Sequence, residues 1–363
     1  MEKIKKALKT TNVPRMIISI FFVLIILTAY AKGINIKSYL GGVLKYWGMW
    51  GILVLAMVPS IKCGIGPNFG VSLGIVCGLL GTLLVIEWGV MGKIEAVIPG
   101  FGKWGSFIIA VFLSALFAWL VGWLYGKVLN AVKGSEMSVT TYIGYSIIYL
   151  MCLVWFRAPF KDGFIKWPVA NGVRNQVSME NSFGYLLNNT GGFYIGGEGG
   201  IYVPTGLLLF FFLCCFVVFL FFKSKTGMAI TAAGENPIFA KASGIDVDKA
   251  RVQGIIVSTI LGAIGIIVYT QGYGYLQAYA APLTMGFQCV AAILIGGATT
   301  QKSKISHVII GTFLFQGLLI MTPPVSNELL AGTDISDTMR QIIQNGVILY
   351  ALTKAKGGAT SEE

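Results

Sequence analysis

The sequence predicts an all-α polytopic membrane protein, a single transmembrane domain over residues 1–363 with about ten transmembrane helices, one of them broken or re-entrant near Gly64–Gly70. Three observations carry that prediction. Apolar residues make up 55% of the chain and charged residues 12%, with a mean hydropathy of +0.77, whereas a water-soluble globule needs far more polar surface. Apolar windows long enough to cross about 30 Å of hydrocarbon recur from end to end. Lysine and arginine gather on alternate connections, as the positive-inside rule requires of cytoplasmic loops.

In order, the windows lie near residues 16–31, 46–62, 69–90, 105–127, 139–156, 201–222, 252–270, 282–298, 306–322 and 337–353, ten spans in all. Residues 1–15 form a basic cytoplasmic tail; Pro14 suits a helix start and no small-residue cleavage site follows, so the first run is expected to remain as a span. The second window leads into Cys63–Gly70, CGIGPNFG, where two glycines before a Pro-Asn pair interrupt the apolar pattern. A broken or re-entrant helix and a tight cytoplasmic turn both fit; the former needs protein or a water-filled cavity to satisfy the freed backbone groups. Gly74, Gly78 and Gly81 in the third window, and Gly262 and Gly265 in the seventh, let helices approach closely. Residues 157–200 form an extracytoplasmic loop, either an ordered lid or a partner surface. Residues 223–251 make a cytoplasmic connection, Gly296 and Gly297 either cap the eighth window or flex there, with capping the default, and residues 354–363 form a cytoplasmic tail.

With the N-terminus inside, ten crossings place both termini in the cytoplasm, and Lys62, Lys127, Lys133, Lys223, Lys225, Lys302 and Lys304 fall on the same side as the basic tail. The net charge of +12 is thus spread over short loops, not gathered into the one basic face that nucleic acid requires. No nucleic-acid partner is expected. The six cysteines, Cys63, Cys77, Cys152, Cys214, Cys215 and Cys289, lie in or beside apolar runs without C-x-x-C spacing; they read as small hydrophobes, and no metal site is expected.

Catalytic chemistry is sparse. His307 is the only histidine, near the inner end of a window beside Lys302 and Lys304, where an interfacial role fits better than a catalytic one. Lys93, Lys103 and Lys127 follow glycine but precede Ile94, Trp104 and Val128, so no P-loop hydroxyl is available for Mg²⁺. No cofactor is expected on this chain. Carboxylates avoid the membrane core: Glu87 sits near an outer edge beside Trp88, and Asp337 at the end of the last window. The membrane-depth acid that proton- or sodium-driven transporters keep is missing. The polar groups that do fall within or beside windows are the amides Asn68, Gln288, Gln316 and Asn345. They either line a path for a neutral polar solute or serve as hydrogen-bond glue between helices, and as a group they favour a hydroxylated solute over an ion.

Between two long apolar runs lies Ala232–Arg251, AAGENPIFAKASGIDVDKAR, rich in small residues and partly charged. Ala, Gly and Ser allow a short helix to approach another surface, and Asn236 followed by Pro237 makes an N-cap and first-turn pair. This cytoplasmic elbow reads as a docking surface.

GENPIFAKASGI resembles the cytoplasmic signature of permease subunits in bacterial ABC importers of the ribose, galactose and autoinducer type. CGIGPNFGVS is similar to the family's glycine-rich segment opening the third hydrophobic stretch, and VAAILIGGATT to its Ala-Ala-x-x-Ile-Gly-Gly segment; the likeness runs from about residue 50 to the C-terminus. The chain departs from the pattern at Gly66–Gly70, where an acidic residue followed by Leu-Ser-Val-Gly is usual, and at Thr299–Ser303. The resemblance implies a permease of the bacterial plasma (inner) membrane that is not itself an enzyme. It further implies a second permease copy or paralogue, an ABC ATPase subunit that uses ATP, and an extracytoplasmic solute-binding protein. Gly234, Asn236, Ala240, Ser243, Gly244 and Ile245 match the motif and would couple to the ATPase; the solute would be a monosaccharide, a nucleoside or an autoinducer-like furanose. An ATPase-independent secondary transporter remains the alternative, and an integral-membrane enzyme is disfavoured by the shortage of His, Asp and Glu at membrane depth.

Overall fold

A long central helix organises the molecule. The computed structural model describes residues 13–167, 172–197, 200–329 and 336–357. In chain order its helices are α1 (Val13–Ala31), α2 (Ile36–Leu55), α3 (Met57–Lys62), α4 (Ser72–Glu87), α5 (Val90–Val97), α6 (Gly102–Ala131), α7 (Glu136–Arg157), α8 (Leu186–Asn189), α9 (Thr205–Lys223), α10 (Lys225–Glu235), α11 (Pro237–Ala242), α12 (Val247–Tyr273), α13 (Ala280–Ile295), α14 (Ile305–Leu329) and α15 (Ser336–Gly357). A 3₁₀ turn, Phe69–Val71, leads directly into α4.

Among the described residues, seven stretches are long and apolar enough to cross a membrane: Ile36–Lys62, Phe69–Glu87, Gly102–Ala131, Glu136–Arg157, Thr205–Lys223, Val247–Tyr273 and Ile305–Leu329. Arg15–Ala31 and Ala280–Ile295 are apolar but shorter, and α15, the last window, is not in the set. The chain is a multi-pass membrane protein, with fewer full-length apolar helices than the ten windows imply. The second span begins at Ile36, well before residue 46, because Lys37, Lys45 and the Gly41-Gly42 pair dilute the hydropathy of a helix that continues through them. The last helix runs on to Gly357, into the segment expected as a tail.

The fold is also not purely helical. Strands β1 (Gln176–Ser178) and β4 (Tyr275–Gln277) pair antiparallel, with Val177 opposite Leu276, while β2 (Phe193–Ile195) and β3 (Ile201–Val203) form a hairpin with Tyr194 opposite Tyr202. β3 occupies the start of the expected sixth span, which begins instead at Thr205. Backbone polar groups cannot be left bare in lipid, and these strands, at one end of the bundle, satisfy theirs by pairing with each other.

At that end the segment 157–200 is ordered wherever it is described. The Asn188 amide donates to Gly272 O (3.2 Å), the Leu187 N–H donates to Gln271 Oε1 (3.1 Å), and the N–H groups of Lys161 and Asp162 donate to the Glu87 carboxylate (2.8 and 3.1 Å). Glu87 therefore anchors this covering segment.

α12 crosses from the elbow at Val247 to this covered end, and α6, α4, α2 and α3 pack around it. Small residues permit the approach. A Cβ added at Gly74 would lie 2.5 Å from Thr259 O, and one at Gly78 would lie 2.6 Å from Ala263 O. Gly265 faces Leu53 of α2, while Gly81 turns instead to Ser114 of α6. At about 25 cal/mol per Å², burying such faces would be decisive in water; between lipid-embedded helices close van der Waals contact does that work.

Cys63–Asn68 is a break that, apart from the exposed Gly64, is buried inside protein. The chain leaves α3 beside the elbow and climbs back along α12, with Cys63 against Gly254, Asn68 against Ser258 and Gly74 at Thr259 and Gly262. α4 therefore starts well inside the bundle. Irregular backbone at such depth survives because protein surrounds it.

Candidate coupling surface and translocation path

The elbow is a chain of capped short helices. Ser224 Oγ accepts the Gly227 N–H at 3.3 Å to open α10. Asn236 Oδ1 accepts the Phe239 N–H at 3.0 Å, with Pro237 in the first turn of α11. Asp246 Oδ1 accepts the Lys249 N–H at 3.0 Å to open α12. Each cap satisfies amides that a helix start leaves orphaned.

α11 ends in a Schellman stop. Ile245 N–H donates to Ala240 O (3.0 Å) and Gly244 N–H to Lys241 O (3.1 Å), with Gly244 at φ +79°. That left-handed conformation favours glycine, and the apolar residue that follows packs back on the helix. Ala240 and Ile245 do so here, joining an apolar cluster with Ile230, Ala233, Tyr125 and Ile255. Six residues matched by the motif thus have distinct local duties: Asn236 and Gly244 set the ends of α11, Ala240 and Ile245 seat it, Ser243 is exposed at its C-cap, and Gly234 lies one turn earlier on α10.

Gly234 makes the contact that sequence reasoning missed. It lies on the backbone of Lys62, Cys63 and Gly64, where an added Cβ would come within 2.7 Å of Gly64 N. The elbow and the buried break are therefore in glycine-on-glycine contact. Nearby, Arg251 pairs with Glu136 at the start of α7, and Lys133 pairs with Asp248. Asn130 Nδ2 also donates to Asp248 O at 2.8 Å, so the C-terminal end of α6 and the N-terminal ends of α7 and α12 are tied together beside the elbow.

Two large apolar side chains on α11 stay outside this packing. Ile238 is 85% exposed and Phe239 66% exposed. Neither belongs to the small-residue pattern that drew attention to the segment; their signal was the apolar Ile-Phe pair directly after the capped Asn236-Pro237.

The four amides do not form one cluster. Asn68 is fully buried and engaged: its Nδ2 donates to Ser258 Oγ (3.1 Å), its Oδ1 accepts from Tyr125 OH (2.8 Å), and Ser258 Oγ donates on to Ala56 O (2.7 Å). Gln288 and Gln316 lie at one level, because α13 and α14 run antiparallel with Gly296 against His307 and Ala292 against Gly311. Gln316 Nε2 is buried without a hydrogen-bond partner. Asn345 lies exposed on α15. Among the described residues no group of His, Cys, Asp and Glu could hold a metal ion.

The family model described as "Branched-chain amino acid transport system / permease component" matches residues 39–352. The chain is similar to the nucleoside ABC transporter permease protein NupC of Lactococcus lactis subsp. cremoris, 26% identical over 269 residues that cover 72% of this chain and 79% of the relative. It is similar to the xylose transport system permease protein XylH of Haemophilus influenzae, 24% identical over 354 residues and 89% of each chain. The ribose import permease protein RbsC of Escherichia coli K12 is 22% identical over 317 residues, 83% of this chain and 91% of the relative. No solved structure matches the chain. With the elbow, the break and most of the helical bundle inside the matched residues, the chain belongs to the branched-chain amino acid transport system / permease component family, and the relatives named here are permease components of transport systems.

Proposed function

We propose that this chain is the transmembrane subunit of an ATP-driven importer for a small neutral hydroxylated solute, with a monosaccharide as the first candidate and a nucleoside or furanose-like signal as the second. Relatives named for ribose, xylose and nucleoside support that solute class. A separate ATPase hydrolyses ATP, an extracytoplasmic binding protein delivers the solute, and a second copy or paralogue completes the pore. The subunit sits in a bacterial plasma membrane with ten crossings and both termini in the cytoplasm. Gln288 and Gln316, buried at one level of α13 and α14, are the first candidates to hydrogen-bond the solute as it passes, with Asn68 and Asn345 the less direct members of that path.

The observation that carries this reading is α11 itself: a short helix capped at both ends, seated by Ala240 and Ile245, that leaves Ile238 and Phe239 bare. An apolar pair held rigidly at a polar rim is the kind of anchor a partner groove takes up. In cells expressing the complete transporter, Ile238→Asp with Phe239→Asp should leave membrane insertion intact while the ATPase no longer copurifies and uptake stops. Continued copurification and uptake would overturn the docking surface. Uptake that continues without any ATPase would instead favour a secondary transporter.

A further inference from the structure

Lys45 is a charge within a helix long and apolar enough to span a membrane. It lies roughly 14 Å along α2 from Ile36 at 1.5 Å per residue, half-buried, and no carboxylate among the described residues pairs with it. Its nearest recorded partner is the Tyr185 ring, 5.5 Å from Nζ to the centroid. An ionisable group inside a span is costly and by default belongs to a functional site.

A cavity of about 640 Å³ opens beside it, lined by Asn35, Ser38, Lys45, Tyr194 and Tyr202, with Gly41 and Gly42 as its floor. The aromatic wall comes from the β2–β3 hairpin. Tyr202 is fixed, since its hydroxyl donates to Asn188 O at 2.7 Å and its backbone lies against Gly41. Tyr194 stands with its ring centroid 5.0 Å from that of Tyr202, tilted by 52°, and is 60% exposed. The cavity therefore offers an aromatic face, an ammonium donor and the amide and hydroxyl of Asn35 and Ser38, on the side that the proposed topology places outside.

We propose that this cavity is an entry site for a hydroxylated sugar ring, either a free pentose or the ribose of a nucleoside, taken up before the solute passes into the bundle. The C–H face of such a ring stacks on Tyr194, Lys45 donates to its hydroxyl oxygens, and Asn35 and Ser38 complete the hydrogen bonding. This rests on the importer reading above and names where that solute first meets the membrane subunit. Aromatic contact with a few convergent polar groups is the chemistry of small polar ligand sites.

The test is saturation-transfer NMR on the purified full-length protein in nanodiscs, with ribose, uridine and leucine as separate millimolar probes. Ribose or uridine, or both, should receive saturation, and the pair distinguishes free sugar from nucleoside. Lys45→Met should weaken that binding about tenfold, the worth of one hydrogen bond to a charged group. Tyr194→Ala, a change at an exposed ring that leaves the fold alone, should weaken it similarly, whereas Lys225→Ala at the opposite end should bind normally. Saturation of leucine alone, or of none of the three probes, or equal signals in the wild type and both cavity variants, would overturn the proposal. ATP-coupled uptake that survives both cavity variants would overturn the entry site and leave the importer standing. Cavity binding in a protein whose uptake needs no ATPase would overturn the importer and leave the site.

Discussion

Asn68 shows how differently one residue reads in sequence and in space. Its position beside Pro67 in a glycine-rich interruption marked it as a polar group inside the bundle, and in the structure it is buried in protein. Its hydrogen bonds could not be read, because Tyr125 and Ser258 come from helices far away in sequence. With both ends of the amide occupied, Asn68 holds the break against α6 and α12. Asn68→Leu would leave the buried Tyr125 hydroxyl without its acceptor, at a cost of about 1–3 kcal/mol. The expected outcome is a lower thermal midpoint in detergent; an unchanged midpoint with altered uptake would instead place Asn68 on the solute path. By contrast, Gln316 was equally visible as an amide within a span, and its Nε2 is buried without a hydrogen-bond partner.

The elbow was the most legible element. Asn236-Pro237 announced a helix start and Gly296-Gly297 a helix end, where Ala298 N–H donates to Ile293 O at 3.1 Å; the left-handed stop at Gly244 was not singled out. Local capping chemistry is written in neighbouring residues, so it survives without a structure. What lay beneath the elbow was not legible, since contact between Gly234 and Gly64 joins segments that only the fold brings together. That contact also separates docking from transmission. Gly234→Val would press a branched side chain onto the Gly64 backbone, an overpacking worth about 1–3 kcal/mol, while leaving Ile238 and Phe239 as exposed as before. The ATPase should still copurify with this variant, and ATP-dependent uptake should fall. Loss of copurification would show that Gly234 only shapes the docking face. Gly244 is a poorer probe, because its φ of +79° makes any side chain there a disturbance of the cap itself.

At the scale of the whole molecule the question is parity. Hydropathy windows found the spans whose faces meet lipid, such as α9, and misplaced those diluted by buried glycine and lysine, such as α2. α15 is the weakest: it carries Gln341, Gln344 and Asn345 along its middle, and Asp337 and Arg340 form an ion pair at 3.0 Å in its first turn. At 1.5 Å per residue its 22 residues reach roughly 33 Å, enough to cross, and it packs along α13 and α14. If α1 and α13 cross along with the seven longer stretches, α15 decides on which side the chain ends. An N-terminus inside and nine crossings would put residue 361 outside; a tenth crossing returns it to the cytoplasm. In intact cells a membrane-impermeant maleimide should therefore label Lys161→Cys, and should reach Lys241→Cys and Ser361→Cys only after the membrane is opened. The native cysteines are all free and none is fully exposed, so each new thiol reads against a low background. Labelling of Ser361→Cys in intact cells with Lys241→Cys still protected would remove α15 from the membrane. The polar amides along its middle would then face water, and Asn345 would drop out of the translocation path while Gln288 and Gln316 stayed within it.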